Sequence, residues 1–206
     1  MSLSGEDRGV RQMSRWLGAA LALCGLAGEA VQAEPVTLHG LTFSDELGGF
    51  EIEQVSGSGT LDDPFVLIEE IFDQEPAILV IRGMTWRFGN RIRSHHEIGF
   101  AITKIVHNRT EQAWSLFNLE LRELVDYHSP FGDGLSFGQA TDAGRPFASD
   151  RFRDLIETRE PYDGLQYIDG NVRPGESVSM TFVVTDTTPR WEFYLLQTRD
   201  SPLAMR

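Results

Sequence analysis

Along most of this chain the apolar positions recur every second residue. Val178, Met180, Phe182 and Val184 are apolar while Ser177, Ser179, Thr181 and Thr185 are polar, the pattern of a strand with one covered face. Phe117, Leu119 and Leu121, with Asn118 and Glu120 facing out, give a second strand. Phe100, Ile102 and Val106 give a third, and Phe50 and Ile52 between Glu51 and Glu53 a fourth. Two runs, 65–68 and 77–81, are apolar throughout and predict central strands covered on both faces. A last strand falls near 191–196. Trp191 in it, and Trp114, are expected in the core, the commoner fate of large aromatics.

Turn residues punctuate these runs. Gly57, Ser58 and Gly59 precede Asp62, Asp63 and Pro64; Asp169, Gly170 and Asn171 suit a tight turn. Arg173, Pro174 and Gly175 place proline and glycine where a type II turn prefers them. Strands separated by such signals predict an all-β protein, an antiparallel two-sheet β-sandwich of immunoglobulin-like or jelly-roll-like kind. At most one short helix is expected, over 149–157 with Ser149 as its cap. The stretch 128–144, rich in Gly, Ser and Asp, reads as a long surface loop.

The beginning of the chain breaks the pattern. Arg8, Arg11 and Arg15 lead into an apolar run from Trp16 to Gly28, and Val31, Gln32 and Ala33 end in small-x-small spacing. This is the layout of a secretory signal peptide, too short to cross a membrane core that needs about 20 apolar residues. A cut after Ala33 is expected, leaving 34–206 as a single β-sandwich domain, periplasmic or secreted. Cys24, the single cysteine, would leave with the signal, so no disulfide is expected. No later run is long and apolar enough to be a transmembrane helix.

Charge is unevenly spread over a chain of net charge −13. Between Glu34 and Ile81 there are eleven acids and no Lys or Arg. Nucleic acid is therefore not an expected partner, because phosphate binding needs a basic stripe. Calcium remains an option, although no spaced Asp-x-Asp-x-Asp-Gly loop is present, and no cofactor is otherwise expected. A basic island follows directly: Arg82, Arg87, Arg91 and Arg93 with His95 and His96. It suits an anionic glycan or lipid headgroup, or pairing with the acidic segment within the molecule, which is favoured for segments adjacent in sequence.

The order of several motifs resembles a known class. His107, Asn108, Arg109 and Thr110 lead to Trp114, then to 117–121; Gly132, Asp133 and Gly134, then Tyr162, Asp163, Gly164 and Leu165, then Val172 to Ser177, and a strand ending Leu196, Gln197 follow. Over roughly 98–198 this resembles exported β-sandwich domains of bacterial PEP-CTERM-type surface proteins. The resemblance implies a fold and a surface or matrix setting, and no activity. The stretch 201–206 has no Pro-Glu-Pro signal, so anchoring by that route is not implied.

Candidate chemistry is sparse. His95 and His96 would point to opposite faces of a strand, and no His pair sits at i and i+4. Gly134, Leu135, Ser136, Phe137 and Gly138 match the nucleophile-elbow frame, but that frame needs a strand-to-helix turn in an α/β chain. Carboxylates are numerous, and pairs of them hydrolyse glycosides when held roughly 5–10 Å apart. No catalytic or metal residue is assigned. The candidate binding residues are Trp86, Arg87, Arg91, Arg93, Asp133 and Tyr162. The expected function is a non-catalytic binding or surface module for a glycan, an envelope component or a protein partner. The alternative is a hydrolase using clustered acids.

Overall fold

The computed structural model describes residues 34–129, 132–138, 147–158 and 163–199; the expected signal peptide and Tyr162 lie outside the described residues. Among the described residues there are twelve strands: β1 (Val36–Leu38), β2 (Leu41–Ser44), β3 (Glu51–Ser56), β4 (Phe65–Ile71), β5 (Ala77–Arg82), β6 (Ile98–Asn108), β7 (Phe117–Arg122), β8 (Ala148–Ser149), β9 (Phe152–Thr158), β10 (Gly164–Gly170), β11 (Ser177–Asp186) and β12 (Glu192–Thr198). They form a seven-stranded sheet, β1-β2-β5-β12-β7-β10-β9, and a five-stranded sheet, β3-β4-β6-β11-β8. The expected all-β two-sheet sandwich is the fold.

Alternation decides which side chains meet between the sheets. Phe100, Ile102 and Val106 of β6 and Val178, Met180, Phe182 and Val184 of β11 face inward from one sheet. Leu79 and Ile81 of β5, Phe117, Leu119 and Leu121 of β7, and Phe193 and Leu195 of β12 face them from the other. Rings bridge the gap, Phe43 to Phe65 at 5.4 Å and Phe100 to Phe193 at 6.5 Å. Each such side chain taken out of water contributes about 1.5–3 kcal/mol, so hydrophobic burial suffices to hold the layers together.

Three expectations are corrected. The segment 149–157 is no helix: it forms β8 and the edge strand β9, which pairs with β10 from Phe152↔Gly170 to Gly164↔Thr158. Ser149 Oγ does accept from the N–H groups of Arg151 and Phe152, at 3.3 Å each, but it turns the chain between two strands. The run 65–68 is not covered on both faces. Val66 and Ile68 are only half-buried, because a two-layer sandwich covers one face of β4. The sheets are also not wholly antiparallel, since β4 lies parallel to β6 with Phe65↔Ile102 and Glu69↔Val106 in register.

Strand direction sorts the connections. β5 ends, β7 ends, β11 ends and β12 begins at the same end of the sandwich, where Glu192 pairs with Arg82 and Tyr194 with Arg122. At the opposite end Trp114 is fully buried, its backbone N–H and C=O exchanging 3.0 Å bonds with Val172.

Candidate functional site

β12 lies between β5 and β7 in the larger sheet. The chain leaving β5, the chain entering β12 and the chain leaving β7 therefore emerge side by side. Among the described residues these three connections carry four large exposed hydrophobic side chains: Trp86 (65% exposed), Trp191 (66%), Leu124 (62%) and Tyr127 (69%).

The first connection, 83–97, is anchored rather than loose. Gly83 begins it at φ +94°, and a Cβ there would stand 2.2 Å from the Gly40 carbonyl oxygen, so only glycine lets the chain leave β5 beside β2. Its N–H donates to the Trp191 carbonyl at 2.8 Å, joining the first two connections. The Phe88 N–H donates to the Thr85 carbonyl at 2.8 Å, closing a turn with Trp86 and Arg87 at its corners. Met84 and Phe88 on either side are buried, and Phe88 packs edge-on to Phe100 at 5.4 Å. Asn90 staples the rest: its Nδ2 donates to the Ser94 and His96 carbonyls at 2.6 and 2.8 Å, and its Oδ1 accepts from Ile92 and Ser94 N–H groups. An exposed tryptophan is thus displayed on a turn pinned at both ends.

The other two connections share a polar base. Arg190 donates through Nε to Asp186 Oδ2 at 2.7 Å and through Nη2 to the Asp133 carbonyl at 2.8 Å, and it pairs with Glu123. Asp186 is fully buried and also accepts from the Thr188 N–H at 2.8 Å. Burial pushes the Asp186 carboxyl up to about 7, with Asp133 adding to the effect. The N–H groups of Thr188 and Thr187 oppose it. Gly134 at φ +88° makes room for this base, since a Cβ there would meet Thr187 Oγ1 at 2.0 Å.

The sequence candidates divide. Trp86 and Arg87 are exposed on the pinned turn, and Arg93 is exposed at φ 60°. Arg91 is structural: its guanidinium stacks 4.1 Å from the Phe88 ring centroid and donates to the carbonyls of Ser58 and His39 at 2.5 and 3.0 Å. Asp133 belongs to the Arg190 base, with Oδ1 accepting from the Leu135 N–H at 3.1 Å. Of the basic island, Arg82 reaches the acidic segment, bonding Glu46 at 2.5 and 2.9 Å and Glu192 at 2.5 Å. Ser136 is buried 3.0 Å from Thr185 Oγ1, in a bridge between backbones and not a strand-to-helix elbow. Among the described residues no three His, Cys, Asp or Glu side chains converge to hold a metal ion. A cavity of about 190 Å³ at the edge of β8 and β9 is smaller than the roughly 300–1,000 Å³ of small-molecule sites.

Trp191 corrects the sequence reading, which put it in the core. By parity it belongs with Phe193 and Leu195, but strand pairing begins at Glu192. One residue earlier the chain bends, the Trp191 carbonyl is taken by Gly83, and its ring points to solvent. Leu124 and Tyr127 were missed because they lie in a short turn after β7 with no periodicity to read. The chain matches no family model, no curated protein and no solved structure.

Proposed function

We propose that the protein is an exported, non-catalytic binding module of the surface or matrix kind, with its ligand docking on the loop end of the sandwich. The observation that carries this reading is the exposure of Trp86 and Trp191, with Leu124 and Tyr127, on three connections that emerge side by side. Exposed large apolar side chains gathered at one end mark interaction sites, loops on a rigid scaffold carry binding, and tryptophan, tyrosine and arginine are enriched at binding hot spots. A glycan is the favoured ligand class. Flat indole faces offer platforms for sugar rings, and Arg87 beside Trp86 suits an acidic sugar. The pinned turn limits the ordering cost of binding.

The test is titration of the protein with oligosaccharides, neutral and acidic, followed by tryptophan fluorescence and calorimetry. Saturable binding that is lost in Trp86→Ala and Trp191→Ala is the expected result. Binding that survives both substitutions overturns the loop end as the site. A blank with every glycan, together with capture of an envelope protein that needs the same tryptophans, moves the ligand class to protein.

The hydrolase alternative rests on Asp186 and Asp133 meeting at Arg190, where burial raises the Asp186 carboxyl. Arg190 occupies that carboxylate and Asp186 has no exposed surface, which favours a structural base under the loops. Hydrolysis of an oligosaccharide that is lost in Asp186→Asn would reverse this preference.

A further inference from the structure

Three polar side chains meet inside the sandwich core. Lys104 of β6, Glu69 of β4 and Gln197 of β12 are each 0% exposed. They sit at inward positions of their strands, in line with Ile102 and Val106, Leu67 and Ile71, and Leu195. Glu69 touches both neighbours: Oε1 accepts from Lys104 Nζ, and Oε2 accepts from Gln197 Nε2 at 3.2 Å. Gln197 Oε1 is buried without a hydrogen-bond partner, so the amide group is held from one side only, by Glu69. Phe50 closes the site, its ring centroid 5.8 Å from Lys104 Nζ.

Lys104 is the chain's single lysine; its other basic side chains are seventeen arginines. Arginine never gives up its proton in a protein, whereas lysine does when buried, and so becomes a nucleophile. The one position at which the chain departs from arginine is thus a dry site where an amine faces a carboxyl group that also holds a carboxamide. A buried ion pair adds little net stability over apolar packing, so stability alone is a weak reason for the trio.

We propose that Lys104 and Gln197 become joined by a side-chain amide bond across the two sheets, with Glu69 as the proton carrier. Lys104 Nζ passes one proton to Glu69 Oε1, and the freed lone pair attacks Gln197 Cδ. Glu69 delivers that proton to Nε2 and accepts the second Nζ proton. The Cδ–Nε2 bond breaks, the Nζ–Cδ bond forms, and Nε2 leaves as ammonia. No oxidant or cofactor is consumed. The core is left with a neutral amide and a neutral carboxyl group in place of two charges. Burial supports the step by favouring the uncharged amine of Lys104. The bond would tie β6 to β12 in a chain whose single cysteine is Cys24.

Intact-mass measurement of the full chain after unfolding tests this directly. The expected mass is that of the sequence, after any N-terminal processing, less one ammonia. Trypsin should fail to cut after Lys104 and should release fragment 94–109 joined to fragment 191–199. Glu69→Gln should restore the full mass and separate the fragments. A parent chain of unchanged mass, cut normally after Lys104, overturns the proposal whether or not any variant folds. Loss of one water, with Lys104 joined to the fragment holding Glu69, overturns it equally.

Discussion

Two of the ion pairs that tie the acidic segment to later strands differ in almost everything but charge. Arg82 and Glu46 meet at the surface, with side chains 26% and 34% exposed, and Arg82 also bonds Glu192. Lys104 and Glu69 meet in the core with no exposed surface at all. Water screens the first pair and loses little if it parts. The second has already lost its hydration, so removing one partner strands a charge in an apolar medium. Exposure, rather than sign or distance, sets what each is worth.

The largest effect is therefore expected in the core. Lys104→Met leaves Glu69 buried with only Gln197, and should destabilise the protein by about 3–5 kcal/mol, read as a lower urea midpoint. Replacing both charges, Lys104→Met with Glu69→Leu, removes that penalty. If the pair is only ionic, the double variant should unfold near or above the parent. If a covalent link spans roughly 90 residues from Lys104 to Gln197, the double variant also loses its constraint on the unfolded chain. It should then fall short by the about 2–4 kcal/mol typical of a cross-link. The double variant thus separates the two descriptions of the core.

The same rule sorts the tryptophans. Trp114 is fully buried, packed edge-on to Phe117 at 5.7 Å with Arg199 5.9 Å from its ring. Trp114→Ala should cost about 3–5 kcal/mol. Trp86→Ala and Trp191→Ala should change stability by no more than about 0.5 kcal/mol, while weakening ligand binding by about 2 kcal/mol, roughly 30-fold. A large drop in melting temperature for either exposed residue would show that the loop end is held together by its indoles and would undo their assignment to binding. Between these extremes stands Asn108. It is buried, donates to the carbonyls of Gln112 and Val172 at 2.8 and 2.9 Å, and accepts from the Thr110 N–H at 3.0 Å. Asn108→Ala orphans those groups and should cost about 1–3 kcal/mol, seen as a lower urea midpoint with binding unchanged.

Much of this was legible in the alternation of side chains. β6, β7 and β11 were readable because apolar side chains alternate along them, although Asn118 and Glu120 of β7, read as facing out, are buried, and the two-sheet architecture follows from the number and spacing of such runs. Lys104 also occupies an inward place by parity, between Ile102 and Val106. What parity cannot supply is the partner, since Glu69 and Gln197 lie 35 and 93 positions away in sequence and converge only through a parallel pairing and a cross-sheet contact. The loop end was half legible. Trp86 and Arg87 stand out beside glycine-rich turns, but whether Trp191 continues its strand depends on where pairing with β5 stops. Arg91 looked like its neighbours because stacking on Phe88 and bonds to two distant carbonyls leave no local mark. The segment 149–157 misled because a serine that suits a helix cap also accepts backbone N–H groups in the turn between two strands.

The smallest expected effect returns to the surface pair, and pH exposes it. The hydrogen bonds from Arg82 and Ser44 hold the Glu46 carboxyl at about 2, below its ordinary 4.5. A carboxyl lowered on folding contributes stability that is present above its unfolded value and is lost as protons bind it in the folded state. The contribution should therefore be complete above pH 4.5 and fade as the pH falls toward 2. Its size is set by exposure, so no more than about 1 kcal/mol is expected despite the short contacts. Urea unfolding of the parent and of Glu46→Gln, compared across that window, should show a gap that narrows as the acid is titrated and shrinks in high salt. Curves that stay parallel would mean that Glu192 alone satisfies Arg82 and that Glu46 adds nothing. Curves that diverge by as much as the core variants would place the surface pair in a drier setting than its exposure indicates.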